Sequence, residues 1–86
     1  MPYSLEVREY VDKVFSKLRK KDKKQMEIIN KKVMEICESP YKFKPLSMPM
    51  QNLRRVHIGS FVLTYSIDEP RKVVIIEDYA HHDDVY

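Results

Sequence analysis

The chain of 86 residues has one cysteine, one glycine and no apolar run approaching the roughly 20 residues that span a bilayer. The lone Cys37 cannot form an internal disulfide, and its place in an apolar helical pattern indicates a core residue. The first ten residues, "MPYSLEVREY", lack the charged-then-apolar pattern of a secretion signal. These absences argue against a membrane-spanning or exported protein and predict a single cytoplasmic domain over residues 1–86.

Charge is distributed unevenly along the chain. The net charge is +3, but residues 1–44 hold twelve Lys/Arg against seven Asp/Glu, whereas residues 45–86 hold four against six. The basic excess peaks in the run "KLRKKDKK". Such a run is consistent both with a solvated helix end and with a surface that binds a polyanion. In the second case the contacts would come from Lys20, Lys21, Lys23 and Lys24.

The N-terminal half has the periodicity of two amphipathic helices. Apolar residues recur three and four positions apart over residues 7–18 and again over residues 26–37. Between them, Asp22 followed by Gln25 is typical of a capping box, in which the carboxylate caps the helix and the amide reaches back. The short link predicts an antiparallel helical hairpin, which ends before Pro40 because proline disfavours a helical conformation in the preceding residue.

The C-terminal half changes to a two-residue period. The segment "LRRVHIGSFVLTYSID" predicts a β-hairpin with a two-residue turn at Gly59-Ser60, where the only glycine supplies the positive φ of a type II′ turn. That register predicts an apolar face of Val56, Ile58, Phe61, Leu63 and Tyr65, and an opposite face of Arg55, His57, Val62, Thr64 and Ser66. The unbroken apolar start of "VVIIEDY" predicts a further strand, Val73 to Tyr79, near the middle of the sheet.

Together these patterns predict an α+β fold in which two N-terminal antiparallel helices pack on one face of a small, mainly antiparallel β-sheet. A short strand at Tyr3 to Leu5 would precede the helices. Residues 40–52 hold three prolines and no periodicity, which predicts a loop between helices and strands. The second sheet face would be polar and partly basic, and the C-terminal tail would leave the last strand beside it.

The chain ends in "YAHHDDVY", and this tail has three interpretations: a metal site, an acid–base site or a solvated terminus. Adjacent His81 and His82 are a poor chelating arrangement, and only His57 could join them, so we expect no metal and no other cofactor. A solvated terminus leaves the apolar Val85 and the terminal Tyr86 unexplained.

Acid–base chemistry accounts for more of these residues. Histidine exchanges protons near neutral pH, and tyrosine can donate a hydrogen bond or stack on a base. A tail with these groups, placed beside a sheet face bearing Arg55 and His57, suits phosphodiester cleavage. In that reaction an RNA 2′-OH loses a proton, the 5′-oxygen gains one, and the phosphate needs positive charge.

Two motifs resemble those of the RelE/ParE toxin superfamily. The hairpin Arg55–Tyr65, "RVHIGSFVLTY", resembles the pattern R-(I/V)-x-(V/I)-G-x-(Y/F)-R-(V/L)-x-Y, with Val62 in place of the second arginine. The ending "HHDDVY" resembles H-R-x-(D/E)-(V/I)-Y, with His82 in place of arginine. The order of helices, hairpin and last strand is also similar.

The resemblance implies the toxin half of a type II toxin–antitoxin pair, with a RelE-like fold and a cognate antitoxin as partner. In the RelE branch it implies a ribosome-dependent endoribonuclease that cleaves mRNA in the A site. His81 or His82 would be a general acid or base, Tyr86 would orient the 2′-OH or stack on the base, and Arg55 would hold the phosphate. Further RNA contacts would come from Arg54, His57 and Lys44.

The resemblance also leaves a second function open. Members of the superfamily need not be nucleases: a ParE-like toxin acts on a protein target such as gyrase, and an inactive member would only bind its antitoxin. Val62 favours this alternative because a charged donor is missing where the transition-state phosphate would need one. The histidines of the tail favour the nuclease.

Overall fold

A computed structural model describes residues 2–47 and 52–84. The elements are β1 (Ser4–Val7), α1 (Glu9–Lys21), α2 (Lys23–Glu38), β2 (Leu53–Ile58), β3 (Phe61–Asp68), β4 (Val73–His81) and a terminal 3-10 helix, His82–Asp84. The strands form one sheet in the order β1-β4-β3-β2, with β1 parallel to β4 and the other pairs antiparallel. The α+β prediction and the central position of β4 are thus confirmed. Within the described ranges, no helix is long and apolar enough to cross a membrane.

The start of α1 differs from the prediction. The helical periodicity began at residue 7, but Val7 closes β1, where it pairs with Ile76 of β4. The helix begins at Glu9, after the extended residue Arg8. Its first turn holds Glu9 and Asp12 and its last turn is basic, which complements the helix dipole at both ends. The parallel pairing of β1 therefore decides where α1 starts.

Asp22 alone joins the two helices, and its role as a cap is confirmed. Its carboxylate Oδ1 accepts a hydrogen bond from the backbone N–H of Gln25 at 3.1 Å. The Gln25 side chain does not complete the predicted box. Its Nε2 instead donates to the hydroxyl of Tyr79 at 2.5 Å, which links the start of α2 to β4.

The β2–β3 hairpin has the predicted register and turn. Ile58 pairs with Phe61 across the turn, and Arg55 pairs with Thr64. Gly59 has a φ of +62°, whereas Ser60 is not among the residues with positive φ, as a type II′ turn requires. The single glycine of the chain therefore sits where L-residues are strained.

The core lies between the helices and the predicted apolar sheet face. Its largest fully buried side chains are Tyr65, Ile29, Ile36, Leu63, Ile76, Val11 and Val74. The Tyr65 hydroxyl donates to the Pro40 carbonyl at 2.6 Å, and burial raises the pKa of Tyr65 to about 12. Cys37 is half-buried against this core, and burial raises the pKa of its thiol.

A carboxylate at the β3–β4 turn joins three parts of the chain. Glu69 accepts hydrogen bonds from Lys72, from the Tyr41 hydroxyl in the loop after α2, and from the Tyr3 hydroxyl at 2.8 Å. These donors, Lys72 foremost, lower the pKa of Glu69 from 4.5 to about 2. Because the folded pKa lies below the unfolded one, this stabilisation is complete above about pH 4.5 and is lost as the pH falls toward 2.

Glu69→Gln should therefore reduce the acid sensitivity of folding. We expect the urea midpoint of the variant to fall less than that of the parent between pH 4.5 and pH 2.5, because the variant has no carboxylate to protonate there. Glu27→Gln, which changes an exposed carboxylate of α2, is the matched control and should follow the parent. Parallel curves for Glu69→Gln and the parent would show that the cluster contributes nothing to acid stability.

Candidate functional site

The C-terminal histidines are attached to the turn of the β2–β3 hairpin. The backbone N–H of His82 donates to the Ser60 carbonyl oxygen at 2.9 Å. The His82 ring atom Nδ1 lies 3.1 Å from the same oxygen. A carbonyl oxygen only accepts, so Nδ1 is the protonated nitrogen in this contact. In the neutral ring the lone pair is then on Nε2, the atom that could accept a proton.

His81 rests on the aromatic part of the core. It pairs with Phe61 in the sheet, and the two rings meet edge to face with centroids 5.4 Å apart. Phe61 in turn stacks on the buried Tyr79 at 5.1 Å, and Tyr79 meets Phe15 of α1 at 5.5 Å. The His81 ring is thus placed by a continuous series of ring contacts reaching into α1, and the His82 ring lies 4.7 Å from it.

Asp83 contacts both imidazoles. Its Oδ2 lies 3.5 Å from Nδ1 of His81, and its Oδ1 lies 3.3 Å from Nε2 of His82. Its backbone N–H also donates to Nδ1 of His81 at 3.3 Å. We call His81, His82 and Asp83 the tail cluster. In the part of the chain that the structure describes, these three are the group whose potential metal-ligating atoms all lie within 4.8 Å of one another.

A β-bulge decides which side of the sheet His81 faces. In the strand pairing, Thr64 lies opposite Asp78 and Tyr65 lies opposite Ile76. No residue of β3 therefore lies opposite Glu77. The extra residue shifts the alternation of side chains along β4. As a result both Ile76 and Tyr79 belong to the core on the helix side, although they are three residues apart. His81, two residues after Tyr79, lies on that same side.

Arg55 and His57 lie on the other face of the sheet. His57 pairs with Val62 and Arg55 pairs with Thr64, next to the core-facing Leu63 and Val56. The sheet therefore separates them from the ring of His81, and the expected approach of tail histidines to the face bearing Arg55 does not occur for His81. Unbroken alternation from Ile76 would have placed His81 on the side of Arg55, and the bulge at Glu77 reverses that placement.

The remaining predicted residues occupy different surroundings. Arg54 donates to the Phe43 carbonyl and lies over the Tyr41 ring, with its guanidinium carbon 5.0 Å from the centroid, so it is engaged with the loop after α2. Lys44 is exposed in that loop. Tyr86 lies outside the described residues.

The basic run lies at the junction of α1 and α2, where Lys20, Lys21, Lys23 and Lys24 are all exposed. An open cleft of about 260 Å³ separates the start of α2 from the hairpin turn. Gln25 and Ile28 line one side of the cleft, and Ser60 and Phe61 line the other. Because Ser60 holds His82 and Phe61 contacts His81, this cleft borders the tail cluster, and its lining residue Gln25 directly follows Lys24 of the basic run.

Sequence reasoning identified the histidines but missed two residues that position them, Ser60 and Phe61. Phe61 was assigned to the core face and Ser60 to the turn, and both assignments hold, but their contacts to the tail depend on the β3–β4 register. The arrangement offers two adjacent imidazoles with a carboxylate in contact with both. Chemically, that set can move protons beside a bound anion.

Two helices packed on a four-stranded mixed sheet, with His81 ending β4 and His82 directly after it, form a RelE-like toxin fold. The family model for the ParE toxin of the type II toxin–antitoxin system parDE matches residues 3–86. The chain belongs to this family.

Relatives and solved structures agree with this assignment. The chain is 44% identical over 85 residues to a Methanocaldococcus jannaschii protein named "Putative toxin RelE4", covering 98% of this chain and 90% of that protein. It is similar to a mutant of the E. coli toxin RelE in the free state, with a TM-score of 0.79, 25% identity and coverage of 99% and 88%. A Mycobacterium tuberculosis RelBE2 toxin–antitoxin complex gives a TM-score of 0.78 at 19% identity, with coverage of 95% and 100%, which supports the fold.

Proposed function

We propose that this protein is a toxin that cleaves mRNA in the ribosomal A site. The observation that carries the proposal is the attachment of His82 to Ser60, which holds two imidazoles side by side at the end of β4. The reaction would be attack of the RNA 2′-OH on the adjacent phosphodiester. It needs no metal, no cofactor and no protein nucleophile, because the attacking group belongs to the substrate.

The two imidazoles would divide the proton transfers. One takes the proton from the 2′-OH while the other gives a proton to the departing 5′-oxygen, and each such transfer typically contributes about 10²–10⁴-fold to the rate. Ring centroids 4.7 Å apart allow both to reach one phosphodiester. In this proposal Tyr86 orients the 2′-OH or stacks on the base, as the superfamily resemblance implies. Arg55 would contact a phosphate of the RNA from the other side of the sheet edge, together with Arg54, His57 and Lys44.

The basic junction would bind the nucleic acid. Lys20, Lys21, Lys23 and Lys24 are exposed, and Gln25, the residue after Lys24, lines the cleft at the tail cluster. Phosphate contacts by such side chains release counterions, so they make affinity depend on salt. Ribosomal RNA and mRNA are both candidates for these contacts.

Neutralising the junction should flatten the salt dependence of ribosome binding. For Lys23→Gln with Lys24→Gln, or Lys20→Gln with Lys21→Gln, each lost phosphate contact should reduce the slope of log affinity against log salt by about 0.7–0.9. Lys13→Gln with Lys31→Gln removes the same charge from exposed helix positions elsewhere and serves as control. If the test and control pairs give equal slopes of log affinity against log salt, the basic run is a solvated helix end that does not bind RNA.

A cognate antitoxin is the proposed protein partner. The chain belongs to a family of toxins from type II toxin–antitoxin systems. The similar M. tuberculosis structure is a toxin–antitoxin complex. An antitoxin that covers the basic junction and the cleft would block access of RNA to the tail cluster. Both the toxin and the antitoxin would then act in the cytoplasm, where ribosomes are found.

Ribosome-primed cleavage of a defined message tests the proposal. Purified protein added to ribosomes stalled with a known A-site codon should cut the message within that codon, and the products should end in a 2′,3′-cyclic phosphate. EDTA, at a level that leaves the ribosomes intact, should not reduce the rate. Absence of cutting by a protein that still arrests growth would exclude the nuclease.

A second candidate function follows from the hairpin. Val62 is 2% exposed, and it pairs with His57 and Ala80 on the face of the sheet that also carries Arg55. An apolar, buried side chain there contributes no charge to a phosphate. This favours a ParE-like toxin with a protein target such as gyrase, or an inactive antitoxin-binding module. Growth arrest with intact messages and inhibited DNA supercoiling would identify the former.

A further inference from the structure

We propose that the tail cluster is a Zn²⁺ site, and that Zn²⁺ bound there inhibits the protein. Two imidazoles and one carboxylate are donors that Zn²⁺ binds readily, and three protein ligands leave a fourth position for water. The donors come from three consecutive residues, His81, His82 and Asp83. Consecutive histidines had suggested poor chelation, but the chain enters a 3-10 helix at His82, which turns the two rings toward a common point.

The hydrogen bonds place both histidine lone pairs on the required atoms. The Ser60 carbonyl engages Nδ1 of His82, so in the neutral ring the lone pair is on Nε2. The backbone N–H of Asp83 donates to Nδ1 of His81, which shows that the lone pair of that ring is on Nδ1. These are the two nitrogens that face the Asp83 carboxylate. A hydrogen bond from the second ring nitrogen to a carbonyl is also the usual way in which a metal-binding histidine is oriented.

Each histidine nitrogen lies at about the donor spacing of a tetrahedral zinc site from one of the two oxygens of Asp83. Ligand bonds of about 2.1 Å place neighbouring donor atoms about 3.4 Å apart. The carboxylate oxygens lie 3.3 Å from His82 Nε2 and 3.5 Å from His81 Nδ1. The largest separation within the group is no more than 4.8 Å, which rotation of the exposed Asp83 side chain can close. His81 would exchange its 3.3 Å hydrogen bond from Asp83 for the metal bond.

Zinc binding would remove the lone pairs that proton transfer requires. A metal on Nε2 of His82 and Nδ1 of His81 prevents both nitrogens from accepting a proton, so the bound form would be inactive. The inhibitory part of this inference rests on the proposed nuclease function, whereas the site itself does not. Removal of zinc by EDTA would restore activity, since the reaction itself uses no metal.

Calorimetric titration of ZnCl₂ into the tag-free full chain tests the site. We expect one Zn²⁺ per chain. Asp83→Asn should weaken zinc affinity by at least about 10-fold, because even the loss of a residue that only hydrogen-bonds to a metal ligand lowers affinity by that factor. Asp84→Asn removes the neighbouring exposed carboxylate, which lies outside the group, and His57→Gln removes the histidine on the other sheet face. Both controls should bind zinc as the parent does. Equal affinities for Asp83→Asn and Asp84→Asn would overturn the site.

Two further measurements separate the site from its effect. In ¹H–¹³C spectra, the ring signals of His81 and His82 should shift on addition of one equivalent of Zn²⁺ while that of His57 stays in place. A shift of His57 alone would overturn the assignment. If metal-free protein cleaves mRNA, saturating Zn²⁺ should abolish cleavage and EDTA should restore it, and full activity with zinc bound would overturn the inhibition. If metal-free protein does not cleave, the nuclease proposal fails, and the titration still decides whether the site exists.

Discussion

Replacing His82 with alanine should reduce ribosome-primed mRNA cleavage by about 10²–10⁴-fold, the usual contribution of a general acid or base. The His82 side chain is 54% exposed, so its removal should change folding little. The backbone hydrogen bond from residue 82 to the Ser60 carbonyl does not depend on the side chain and keeps the tail at the hairpin turn. Single-turnover cleavage rates at saturating ribosome concentration measure the effect on chemistry apart from binding.

His81→Ala and Tyr86→Ala extend this test. Each should relieve growth arrest and slow cleavage, and His81→Phe, which keeps a ring against Phe61, separates loss of the imidazole from loss of packing. Asp84→Ala is the matched control, because it truncates an exposed residue of the same 3-10 helix that lies outside the tail cluster. If the three tail variants all cleave and arrest growth as the parent does, the tail is not the reactive site.

Much of the hairpin could be predicted from local sequence. The two-residue period determines which side chains share a face, and a single glycine leaves one position for a turn that needs positive φ. The register Ile58 with Phe61 and Arg55 with Thr64 follows from those two facts alone. The cap at Asp22 was similarly local, since the carboxylate reaches an N–H only three residues away.

The bulge at Glu77 could not be predicted in this way. Glu77 and Asp78 are both polar, so the run after Ile76 has no alternation from which a skipped residue could be detected. The bulged position is held by distant residues: the Arg8 guanidinium lies 2.8 Å from the Glu77 carboxylate, and the Ser66 hydroxyl donates to it at 2.7 Å. Neither contact has a local signal.

The bulge at Glu77 is the main reason why the observed site differs from the predicted one. Without the bulge, Tyr79 and His81 would lie on the same side of the sheet as Arg55. With it, Tyr79 enters the core and His81 packs on Phe61. The candidate residues of the tail were found because histidines and tyrosines are chemically conspicuous. Their neighbours Ser60 and Phe61 were not linked to them, because that contact requires the β3–β4 register.

Tyr79 connects the core to the tail cluster, and its truncation should have the largest effect on stability. Its ring is 3% exposed, stacks on Phe61 and meets Phe15 of α1, and its hydroxyl accepts a hydrogen bond from Gln25. Tyr79→Ala should lower the free energy of unfolding by about 3–5 kcal/mol, as for other buried aromatic residues. With a urea m-value of about 1–3 kcal/mol/M, the midpoint should fall by about 2 M.

Tyr79→Phe separates the ring from its hydroxyl. The variant keeps both ring contacts and loses only the acceptor for the Gln25 amide, so the free energy of unfolding should fall by about 0.5–1.5 kcal/mol. Because the ring still supports Phe61, the His81 ring signals should stay near their parent positions in the phenylalanine variant. In conditions where Tyr79→Ala is still folded, those signals should move. Equal destabilisation by alanine and phenylalanine would mean that the ring contacts do not hold the tail in place, and His81 would then depend on His82 and Ser60 alone.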